Sequence, residues 1–164
     1  MTFGQRLKKA NSFADIFSLV KRAVRHYLGK EQAGLLVGLS DLGAQGQSCL
    51  GAFYSMDANT IIINKRPLQT IATQSPKLYN PYLFNILLHE YLQSLNLFDH
   101  EEVRLLSYEI AKQYFGMNHL ATQMALDMEQ FLPSHVFDDK VEKPDDLDIE
   151  FVHGIDRDNT NYIM

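Results

Sequence analysis

Apolar residues recur at spacings of three and four along residues 12–28. Phe13, Ile16, Phe17, Val20, Val24 and Tyr27 fall on one side, and Lys21, Arg22 and Arg25 on the other. That period predicts an amphipathic helix, with Gly29 as its C-cap. Residues 33–40 hold a short continuous apolar run and read as a buried strand. Residues 42–51, rich in Gly, Gln and Ser, read as a loop. Residues 51–54 and 60–64 then flank Ser-Met-Asp-Ala-Asn. The pattern predicts a hairpin whose second strand, Thr-Ile-Ile-Ile-Asn, is strongly β-prone. Pro67 and Pro76 bracket a connection with room for a short helix.

The second half reads as helical. Asn80-Pro81 predicts a helix start, with Asn as N-cap and Pro in the first turn, and the helix should run to about Leu95. Asn96 then stands where a left-handed C-cap residue is wanted. Asp99, followed by Glu102, resembles a capping box opening a helix that ends at Gly116. Asn118 is placed to cap a third helix, reaching about Phe131. Beyond it the chain is acidic and irregular until residues 149–152. No internal repeat or linker divides the chain, so one domain spanning 1–164 is expected, with its core over roughly 35–131 and an acidic extension over 138–164. A helix, a strand, a hairpin and then helices make an α+β class.

Composition narrows the possibilities. The chain has 164 residues and a formal net charge of -5, which argues against a dedicated nucleic-acid binder. Charge is uneven: the first thirty residues are basic and residues 138–158 acidic, an arrangement that lets the two ends attract or simply form solvated faces. Cys49 is the single cysteine. It allows no internal disulfide and no multi-cysteine zinc site, fits a reducing cytoplasmic setting, and reads as a structural thiol. The most apolar run, residues 82–98, is interrupted by Asn85, His89, Glu90 and Gln93, so no membrane span is expected.

Those interruptions carry the candidate chemistry. The helix from residue 81 to 95 is apolar nearly all round and should be buried. At about 100° per residue, Asn85, His89 and Gln93 share one stripe, with Glu90 beside it. A buried polar stripe is costly unless its members are bonded to one another or hold something. The stripe is therefore either a set of core hydrogen bonds or a metal site.

His89-Glu90-Tyr91-Leu92-Gln93 departs by one residue from His-Glu-x-x-His, the pattern that sets two imidazoles and a general base on one helix. The run Leu-Leu-His-Glu-Tyr-Leu-Gln-Ser-Leu-Asn-Leu-Phe-Asp resembles the small archaeal zincin-like proteins of the minimal gluzincin type. The order of hairpin, motif helix and capped helix over roughly 35–131 is similar to the zincin fold. The resemblance implies zinc-dependent peptide hydrolysis, with Glu90 as base and His89, Gln93 and an acid downstream as metal ligands. It points to Glu109 as that acid, on the helix that follows. Asp99 competes, because the longer metzincin spacing ends on it, but it also suits an N-cap.

Gln93 changes what the resemblance implies. A neutral amide oxygen is a poor zinc ligand beside an imidazole, so zinc should be bound weakly or not at all and hydrolysis weakened or lost. A distant histidine, His100, His119 or His135, is a possible replacement ligand, although His119 also suits a helix start. The alternative is a module that binds a peptide or protein partner in the cleft without cutting it, by strand addition. The segment 151–164 is one such candidate, as an internal ligand.

Overall fold

The computed structural model describes residues 1–132, 136–138 and 140–155, with Val136 described by its backbone alone. Seven helices are present among these residues: α1 (Phe3–Lys9), α2 (Phe13–Leu28), α3 (Lys65–Gln74), α4 (Tyr79–Ser94), α5 (His100–Phe115), α6 (Leu120–Leu126) and α7 (Met128–Phe131). The strands are β1 (Leu36–Ser40), β2 (Ser48–Cys49), β3 (Ala52–Ser55), β4 (Thr60–Asn64), β5 (Val136–Phe137) and β6 (Glu150–Phe151). The class is α+β, as expected. No helix of the described residues is long and apolar enough to cross a membrane.

The main sheet has the order β3-β4-β1-β6. β1 and β4 are parallel, with Leu36 opposite Thr60 and Ser40 opposite Asn64. β3 and β4 form the expected antiparallel hairpin. β4 is buried along its whole length, so its alternate residues serve two cores. Ile61 and Ile63 face the main core, and Ile62 faces a smaller one with Leu42, Leu50 and Val141. A strand buried on both faces should be continuously apolar, and Thr-Ile-Ile-Ile-Asn largely is.

α4 lies at the centre, packed against α2, α5, α6 and β3. Tyr82, Leu83, Phe84, Leu87, Leu88, Tyr91 and Leu92 are each no more than 1% exposed. Burying a side chain of this kind stabilises the fold by about 1.5–3 kcal/mol. No polar face is left for solvent along most of the helix, in keeping with its pattern.

Several local readings hold. Gly29 ends α2 at φ 69°, while the start of that helix is capped by Ser12, which accepts from Asp15 N and was not singled out from the sequence. Asn96 sits in the left-handed region at φ 72°. Others change. Asn80 does not cap α4: a 3-10 turn, Pro76–Leu78, feeds straight into the helix at Tyr79. The preceding turn supplies acceptors for the helix start, since Tyr79 N donates to Pro76 O. Asn80 instead donates to Leu7 O at 2.8 Å and Ala10 O at 2.9 Å, holding the end of α1. The third helix is capped by His119, one residue later than expected, and it breaks at the extended residue Asp127 into α6 and α7.

The acidic extension returns to the sheet as β6, antiparallel to β1. It therefore docks on the edge opposite β3, so its start does not enter the cleft described below. Residues 156–164, which complete the proposed internal ligand, lie outside the described residues. The last described residue, Ile155, meets α2 through a buried cation: Lys21, expected on the solvated face of α2, is 5% exposed. Its ammonium donates to Ile155 O at 2.8 Å.

Candidate active site

A cleft of about 360 Å³ opens beside α4. Asn85, Ile86, His89 and Glu90 form its α4 wall, Arg104 and Ser107 its α5 wall, and residues 124–129 its far side. Gly51, Ala52 and Phe137 complete the lining, so the start of β3 borders the cleft. β3 is the terminal strand of its sheet. Gly51 is closely packed, since a Cβ there would come within 3.1 Å of Ile86 Cδ1 and 3.3 Å of Phe137 Cδ1.

The polar stripe of α4 divides along its length. Asn85 is buried and does structural work: its amide donates to Pro81 O at 3.0 Å and to Ala121 O at 2.9 Å, tying α4 to α6. His89 and Gln93, one and two turns on, are half-buried and reach out of the core toward the start of α5. There they meet His100. His89 Nε2 lies 3.2 Å from His100 Nδ1, and Gln93 Nε2 lies 2.9 Å from the same atom. Glu90 is 5% exposed and lines the cleft next to His89. A carboxylate so placed is in position to act on a proton of a molecule in the cleft.

The two acids considered as metal ligands lie elsewhere. Glu109 is exposed on α5 and pairs with Lys112 at 3.4 Å. At about 100° per residue it stands half a turn around α5 from His100, whereas Arg104 and Ser107 share the His100 side. The structure thus does not bring Glu109 to His89, and the set His89, Gln93 and Glu109 does not fit a zinc ion. Asp99 caps α5 by accepting from Glu101 N at 3.0 Å. Among the described residues, no group of three or more His, Cys, Asp or Glu side chains converges to hold a metal.

Of the other histidines, His119 caps α6 by accepting from Ala121 N at 3.0 Å, and its ring stacks on Phe115. Burial holds its imidazole below the ordinary value, which suits a ring whose Nδ1 must stay an acceptor. His135 lies outside the described residues. Cys49 is buried, and burial pushes its thiol up, in keeping with a structural role. Sequence reasoning did not anticipate Arg104 and Ser107 in the cleft. Their spacing from His100, four and seven residues, was the available signal.

No protein-family model, curated protein or solved structure matches this chain.

Proposed function

We propose that this chain is a zincin-like domain of metallopeptidase descent, whose cleft receives an extended peptide and whose zinc-dependent hydrolysis is weakened or lost. The position of Glu90 carries the reading. It is a nearly buried carboxylate on the wall of a cleft, beside an imidazole, on a helix buried on almost every side. Burial of a carboxylate is costly, and such residues concentrate where a proton is handled. The presence of Gly51 and Ala52 in the cleft lining supports a peptide ligand, because the terminal strand β3 starts there and can accept another strand along its outer edge.

Weakened hydrolysis follows from the ligands. Gln93 supplies an amide where an imidazole would bind zinc, and Glu109 is exposed and paired with Lys112. The same two facts favour a second reading, a non-catalytic peptide-binding module that uses this cleft.

One experiment addresses both. Fluorescent peptide mixtures are incubated with the full chain, with and without zinc, and both cleavage and binding are followed. The expected result is peptide binding with slow cleavage or none, lost when Ala125→Trp fills the cleft. Slow cleavage abolished by Glu90→Gln supports the residual enzyme, and binding without cleavage supports the module. Fast, Glu90-dependent cleavage would show that the Gln93 site is fully competent. A chain that neither binds nor cuts peptides would remove the zincin-like reading.

A further inference from the structure

We propose that a second cavity, between α1, the Pro76–Leu78 turn and the start of α6, binds a small organic anion: an apolar body with a carboxylate or phosphate head. The proposal does not rest on the zincin-like reading. The cavity has a volume of about 570 Å³, larger than the cleft that His89 and Glu90 line, and shares no lining residue with it. That volume suits a small-molecule ligand. Its walls are tied together. Asn80, at the start of α4, donates to Leu7 O at 2.8 Å and Ala10 O at 2.9 Å and so holds α1 in place.

The lining divides by chemistry. Leu7, Pro76, Pro81 and Leu120 supply apolar surface, and Lys8 and Lys77 supply two ammonium groups. Among the described residues that line the cavity, none is Asp or Glu. Among the described residues, neither lysine has an ion-pair partner. The chain as a whole has a formal net charge of -5, so two cations without an acid mark this wall out. A concave wall of one sign concentrates ligands of the other. Ammonium groups bind phosphate and carboxylate through charge-assisted hydrogen bonds.

His119 adds a neutral donor. Its Nδ1 accepts from Ala121 N at 3.0 Å, so the ring proton sits on Nε2. Nε2 lies beside Gly4, which has no side chain to cover it: a Cβ there would stand 3.4 Å away. The Nε2–H donates to no described residue, although the ring is half-buried and stacked on Phe115. A partly desolvated donor of this kind gains from a ligand oxygen. The anionic head is therefore expected at His119 and the two ammonium groups, and the apolar body against Leu7 and the two prolines.

The test is an amide NMR titration of the full chain with phenyl phosphate, benzoate, benzyl alcohol and benzylamine, which share an aromatic body and differ in the head. The expected result is saturable binding of at least one anion with Kd at or below about 1 mM. Its shifts should concentrate at residues 4–8, 76–81 and 118–120. The anion that binds more tightly identifies the head group. Benzyl alcohol and benzylamine should bind at least about tenfold more weakly. Lys8→Gln combined with Lys77→Gln should weaken the anions at least about tenfold, and both positions are exposed, so the fold should be kept. His119→Asn, which keeps a cap and removes the Nε2 donor, should weaken them about fivefold. Gly4→Leu, which places a side chain over His119, should abolish binding; circular dichroism checks its folding, and the lysine pair decides the matter if it does not fold. Equal binding of benzyl alcohol, shifts centred away from the cavity, unchanged affinity without the two lysines, or no saturation by about 10 mM would each overturn the site.

Discussion

Asn64 ends β4, and its side chain holds together the loop that leads to Gly51 in the cleft lining. It is fully buried. Its oxygen accepts from Leu42 N at 3.1 Å and from Arg66 N at 3.2 Å, the latter capping α3. Its amide donates to Leu50 O at 2.9 Å and to Gly43 O at 3.3 Å. Asn64→Ala removes all four bonds at once. Loss of the helix cap costs about 1 kcal/mol. Leu42 N and Leu50 O are left in buried surroundings, and each unsatisfied group costs about 1–3 kcal/mol. Gly43 O is nearer solvent and adds little. The sum is about 3–5 kcal/mol once some water enters, a large part of the ~5–15 kcal/mol that holds a domain of ordinary stability. Equilibrium urea unfolding followed by far-ultraviolet circular dichroism measures the loss, and amide exchange at Leu42 localises it. A loss below about 1 kcal/mol with an unchanged denaturant slope would refute the reasoning, because it would mean that these backbone groups find other partners.

Two further outcomes follow from the packing. Gly51→Ala should cost about 1–2 kcal/mol by crowding Ile86 and Phe137, and it should weaken peptide binding by narrowing the cleft that all three residues line; thermal unfolding and peptide anisotropy check both, and no change in either would contradict the close packing. Burial holds the His119 imidazole below its ordinary value of 6.5, so the unfolded chain binds the extra proton more readily. The contribution of the neutral ring is therefore complete above that value and is lost as pH falls through it toward the folded value. Urea midpoints at about pH 5 and 8 should differ by more in the natural chain than in His119→Asn, which keeps a cap without titrating in this range.

The sequence alone determined the elements whose signals are local. The three-and-four period of α2, the β-branched run of β4, the all-round apolarity of α4 and the caps at Gly29, Asn96 and Asp99 each depend on near neighbours in the chain. The identity of the candidate helix was legible for the same reason: four polar residues on an apolar helix stand out in one dimension. Tertiary structure decided what those residues do. Asn85, His89 and Gln93 are equivalent by spacing, yet Asn85 is spent on Ala121 O of a distant helix while the other two meet His100. Glu109 is an acid on the expected helix, but its rotation about that helix turns it to solvent and Lys112. Lys21 reads as a solvated cation until Ile155 covers it. The burial of a polar side chain, and the partner it finds, depend on segments brought together across the chain, and helical period alone carries no record of them.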